Sequence, residues 1–130
     1  MKAQELRIGN WIEHNQNKKD MYTTVQPSTF SVNIEQHFKP IPLTEEWLVR
    51  FGFEIDQTSE EAYLKINTDF NNGSTFSLDC FIADYSFMIN ERSDDGDSHT
   101  SFIPKKLKYV HQLQNLYFAL TGDELTIKQQ

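Results

Sequence analysis

The sequence predicts an α+β fold: a single domain of antiparallel sheet, curled or half-barrel, with about six to seven short strands, one short helix and one longer C-terminal helix. Three observations carry that prediction. Ala62, Leu64, Ile66, Thr68 and Phe70 alternate with Tyr63, Lys65, Asn67 and Asp69, and the run leads into Asn72-Gly73, a strong hairpin signal. Val110, Leu113, Tyr117 and Leu120 recur at helical spacing, with Leu116 beside them, before Gly122. The remaining strand-like runs follow one another instead of alternating with helices, and the order reads βββ-α-ββββ-α.

The N-terminal part, 5–36, reads as a β-meander. Leu6, Ile8, Asn10 and Ile12 alternate with Arg7, Gly9, Trp11 and Glu13; Met21 to Gln26 form a second strand after a polar turn at 15–20. Phe30, Val32 and Ile34 give a third, with Pro27-Ser28 as the turn before it. The prolines of Lys39-Pro-Ile-Pro-Leu43 keep that segment extended. Thr44 then caps a short helix over 44–51, with Glu45 and Glu46 at the positive end of its dipole and Gly52 as its stop. Leu43 and Leu48 stand at the positions of a hydrophobic staple.

A second antiparallel sheet is predicted over 62–103. Phe76, Leu78, Cys80 and Ile82 return from the hairpin to the same core, Tyr85 to Asn90 follow an Ala83-Asp84 turn, and His99 to Ile103 come last. The C-terminal helix is placed over 107–121, because three lysines among residues 105–108 would crowd the positive end of an earlier start. Leu125 and Ile127 read as an addition to a sheet edge.

The chain has 130 residues, ten Phe, five Tyr and two Trp, enough for one real core. A net charge of −7 argues against direct nucleic-acid or anionic-membrane binding, which rests on cationic surface, and leaves room for a basic partner or a mimic of nucleic acid. The single cysteine, Cys80, forms no internal disulfide and fits a reducing compartment. No apolar leader or membrane-length run is visible, so a cytoplasmic location is expected.

Motifs for chemistry are sparse. The Asp94-Asp95-Gly96-Asp97 stretch lacks the ligand spacing of a calcium loop and reads as a solvated hairpin loop. His14, His37, His99 and His111 have no partner ligand at helical spacing, so neither a metal nor a cofactor is expected. The unusual feature is a second stripe on the C-terminal helix: Leu107, His111, Gln114, Asn115 and Phe118 occupy the face where Lys and Glu would be ordinary. His111, Gln114 and Asn115 could hold a small polar ligand, or could bond to nearby backbone and fasten the helix. Arg7 and Trp11 share the outward face of the first strand and could stack on a partner or cover the short helix. Arg7, Trp11, His111, Gln114, Asn115 and Phe118 are therefore the candidate binding residues, and no catalytic residue is assigned.

Leu6-Arg-Ile-Gly-Asn-Trp11, Pro40-Ile-Pro-Leu-Thr-Glu-Glu-Trp-Leu48 with Phe51-Gly-Phe53, and the C-terminal block from Tyr109 to Gly122 together resemble a family of short bacteriophage and prophage proteins. The family brings no established activity, and Trp11 departs from the varied apolar residues of other members. The resemblance implies a viral or mobile-element protein acting inside a bacterial cell. The expected function is thus non-catalytic binding in host takeover or anti-defence, directed at a host protein or a sequestered small nucleotide-like signal. A homo-oligomer built through the C-terminal helix would cover the second stripe. The alternatives are a virion structural or assembly accessory and a small hydrolase acting through His111.

Overall fold

The computed structural model describes residues 1–15, 21–56, 63–69, 74–81, 84–104 and 106–128. The fold is α+β, with one three-stranded and one five-stranded antiparallel sheet and a C-terminal helix. Two compact units organise it: Met1–Thr44 with Lys108–Thr126, and Glu45–Leu107 with Ile127–Gln130. Among the described residues no helix is long and apolar enough to cross a membrane.

In the first unit, β1 (Trp11–His14) lies between β2 (Tyr22–Thr24) and β3 (Phe38–Lys39). Leu6, Ile12, Val25 and Ile34 form its apolar cluster, with Met1 and Phe38 packed against it. The meander is shorter than its alternation suggests. Gly9 takes a positive φ of 97° and donates its N–H to Val25 O, so the first run turns before Asn10 and leaves Ile8 57% exposed. The expected third strand is absent. Pro27–Ser31 form a 3-10 turn and Ile34–His37 a single helical turn, α1. Pro27 favours a helical start, and Thr29 Oγ1 accepts the Gln26 N–H at 2.9 Å, so the local bonds override the alternation of Phe30, Val32 and Ile34.

The C-terminal helix, α3, runs from Val110 to Thr121, three residues later than the spacing predicts. Residues 108–109 are held extended instead. Leu43 N–H donates to Lys108 O and Val110 N–H to Ile41 O, both at 2.9 Å, and Pro42 bridges to Tyr109. Gln112 Oε1 accepts the Lys108 and Tyr109 N–H groups, and Gly122 ends the helix at φ 78° with its N–H on Phe118 O. Leu125 joins no strand; it is buried beside this helix, with its carbonyl bonded to Gln114.

The second unit opens with α2 (Glu45–Arg50). Gly52 at φ 96° closes it: Phe53 N–H reaches back to Leu48 O and Gly52 N–H to Val49 O, the paired bonds of a Schellman end. Trp47, Leu48 and Phe51 are buried, as so short a helix requires. The sheet follows in simple meander order: β4 (Glu54–Asp56), β5 (Tyr63–Asp69), β6 (Thr75–Phe81), β7 (Ser86–Arg92) and β8 (Ser98–Phe102). Strand β4 was not visible in the sequence. Leu64, Phe76, Leu78, Cys80, Phe87 and Ile89 bury one face. The expected positions Ala62, Phe70, Asn72, Gly73, Ile82 and Ala83, and the turn residues 16–20, lie outside the described residues. The register sets Leu64 opposite Cys80 and Ile66 opposite Leu78, in keeping with the apolar alternation of the two strands.

Candidate functional site

Two polar clusters stand out, one in each unit. The first contains the residues singled out by the helix stripe. Gln114, 1% exposed, accepts the Trp11 N–H on Oε1 at 2.8 Å and donates from Nε2 to Gly9 O and Leu125 O. Asn115 Oδ1 accepts from Arg7 Nη1 and Asn10 Nδ2, each at 3.0 Å, and its own amide donates to Glu5 O. Buried Asn10 accepts the Arg7 N–H at 2.7 Å. The Arg7 guanidinium pairs with Glu124 and lies 3.9 Å from the centre of the Phe118 ring. Arg7, Trp11, Gln114, Asn115 and Phe118 are thus brought together, but largely onto one another and onto backbone.

His111 sits beside this cluster without joining it. It is 1% exposed, stacks on Tyr109 with ring centroids 5.9 Å apart, and neither ring nitrogen has a hydrogen-bond partner. Glu5 Oε2 lies 3.5 Å from Nε2, too long for a normal hydrogen bond but close enough to act electrostatically. Burial holds the imidazole below its ordinary value, against the opposing pull of Glu5. The ring is enclosed, so a substrate in solution has no direct approach to it. The second stripe is mostly covered by residues 5–11 of the same chain, and Phe118, at 39% exposure, is its open end.

The second cluster occupies the face of the five-stranded sheet that points away from the apolar side chains. A groove of about 360 Å³ runs over it, lined by Lys65, Asn67, Ser77, Asn90, Arg92 and Ser98 among others. Register sets these side chains in rows. Asn67, Ser77, Asn90 and Thr100 stand opposite one another across β5 to β8, and Thr75, Arg92 and Ser98 form the next row. Asp79, 3% exposed, is the anchor beneath them. It accepts from Ser77 Oγ at 2.9 Å and from Asn90 Nδ2 at 2.6 Å, and stands opposite Lys65. Thr100 Oγ1 donates to Asn90 Oδ1 at 2.8 Å, so both ends of the Asn90 amide are oriented.

Some of these groups remain uncommitted. Among the described residues, neither the Arg92 guanidinium nor the Asn67 amide has a side-chain partner, and Asn90 keeps a second N–H. Uncommitted donors around a concavity, with Asn90 oriented among them, suit a small polar ligand. Sequence reasoning missed this face, because polar residues alternating along a strand read as its solvent side. The available signal was the repetition of amides and hydroxyls at matching positions of successive strands.

The acidic loop before β8 closes on itself: Ser93 N–H donates to Asp97 O and Asp97 N–H to Asp95 Oδ1. The Ser93 hydroxyl and that N–H hold the Asp95 carboxyl below its usual value. Among the described residues no three of His, Cys, Asp or Glu are placed to hold a metal ion. Comparison of the chain with known protein families, curated proteins and solved structures finds no match.

Proposed function

We propose that this is a non-catalytic binding protein that sequesters a small nucleotide-like molecule in the groove of its five-stranded sheet. One observation carries the reading: the groove presents donors that the fold does not consume, Asn90 among them held in a fixed direction, whereas the helix cluster is consumed by internal bonds. The acid beside the row, Asp79, is engaged by Ser77 and Asn90, which suits it to holding the row in place. In keeping with the resemblance of its N-terminal, central and C-terminal blocks, the protein works for a virus or mobile element inside a bacterial cell.

Native mass spectrometry of protein purified from bacterial cells tests this. A nucleotide-sized adduct, lost on mild denaturation, is the expected result; a clean apo mass from cells shown to contain the nucleotide pool counts against sequestration. The same spectrum reports self-association through α3, which the exposed Phe118 ring supports. Phe118→Glu then returns an oligomer to the monomer mass, and an unchanged mass removes that part of the reading.

A further inference from the structure

The geometry points to a phosphate-bearing ligand held in one direction along the groove, its phosphate at the Thr75–Arg92–Ser98 row and its polar body over the amides of Asn67 and Asn90. This rests on the groove being a small-molecule site and adds the ligand's charge and polarity. The groove has two cationic residues, but they are not equivalent. Lys65 stands opposite Glu54 on one side and Asp79 on the other, so carboxylates already answer its charge. Arg92 stands between Thr75 and Ser98, two hydroxyl residues, and is without an ionic partner among the described residues. The neighbouring Glu91 also borders the groove, although it alternates with Arg92 along β7 and stands opposite Phe76.

Arg92 is therefore the groove cation with hydroxyl residues, not carboxylates, on both neighbouring strands, and the acidic 94–97 turn that joins its strand to β8 bonds to its own backbone and to Ser93. A planar guanidinium flanked by two hydroxyl donors is the usual chemistry for a phosphate. One row further along, two residues on each strand or roughly 7 Å, the groove changes character. There Asn67 offers a carbonyl and an amide, Asn90 an N–H whose direction Asp79 and Thr100 determine, and Ser77 an acceptor oxygen, since its proton is donated to Asp79. That spacing matches a nucleoside monophosphate, with phosphate on Arg92 and a base edge on the amides. Asp79 acts as a positioning residue through Asn90.

Isothermal titration of the full chain with the four common ribonucleoside 5′-monophosphates, their nucleosides and inorganic phosphate tests the assignment. At least one monophosphate should bind, and more weakly as salt is raised. Its nucleoside should bind about tenfold to a hundredfold less tightly, the worth of a charge-assisted contact. Arg92→Ala should bring the monophosphate down to the affinity of the nucleoside, with Arg92→Lys between the two. Arg92 is exposed, so these variants keep the fold, which circular dichroism verifies. A nucleoside that binds as well as its monophosphate, or an Arg92→Ala protein that binds unchanged, overturns the phosphate assignment and leaves the small-molecule reading standing. Failure of every probe, together with a clean apo mass from cells, overturns both.

Discussion

The two polar clusters use the same chemistry to opposite ends. Each contains an arginine, primary amides and a carboxylate, and each lies beside a well-buried apolar core. Around α3, Gln114 and Asn115 direct their amides at the backbone of residues 5–11, and Arg7 is bonded, ion-paired and stacked at once. On the sheet, Asn90 is held from behind by Asp79 and Thr100, while Asn67 and Arg92 face outward. The difference teaches that side-chain identity says little about function. What separates a clasp from a site is whether the donors are already used.

That contrast is open to direct attack. The largest effect is expected from Gln114→Leu, which strands the Trp11 N–H and the carbonyls of Gly9 and Leu125. A loss of about 3 kcal/mol should appear in urea unfolding, and a loss below about 0.5 kcal/mol would show that the clasp does not hold the first unit together. Asn90→Ala comes next. It takes a short hydrogen bond from the buried Asp79 carboxylate and should destabilise by about 2 kcal/mol. The two arginines then give a matched pair. Arg7→Ala removes its bond to Asn115, its pairing with Glu124 and its stacking on Phe118, for about 1 kcal/mol. Arg92→Ala should change stability by less than about 0.5 kcal/mol. Equal losses at the two positions would erase the distinction drawn between them.

The smallest effect concerns acid. Because burial depresses the His111 value from 6.5, the unfolded chain takes up a proton that the folded one resists. This contribution to stability is fully present above about pH 6.5 and declines as the pH falls below it. In His111→Phe that part of the slope should vanish when unfolding is measured between pH 5 and 8.

Much of the middle of the molecule was legible in the sequence, and the reason is local. The faces of β5 and β6 follow from strict alternation, and Gly52 and Gly122 end their helices as their positions suggest. The N-terminal region was less legible because alternation there competes with stronger local signals. Gly9 turns the first run, and Pro27 with Thr29 winds the supposed third strand into a helical turn. The start of α3 was hidden for another reason: residues 41–43, far away in sequence, hold Lys108 and Tyr109 extended. The helix stripe drew attention to Gln114 and Asn115 correctly as unusual residues, but their partners lie about a hundred positions upstream and leave no periodic mark. The groove escaped notice because a site made of single residues from successive strands exists only once the register is known.

The clasp on α3 also sets an order of events during synthesis. Meander strands β5 to β8 pair with neighbours in sequence and can assemble as soon as they emerge from the ribosome. Residues 5–11 leave the ribosome about a hundred residues before Gln114 and Asn115, which receive them. The backbone groups of residues 5–11 must therefore wait for the clasp while the middle folds, although Leu6, Ile12, Val25 and Ile34 can already cluster. Slowing translation would lengthen that interval, and the N-terminal segment is where a chaperone or a protease would find the nascent protein.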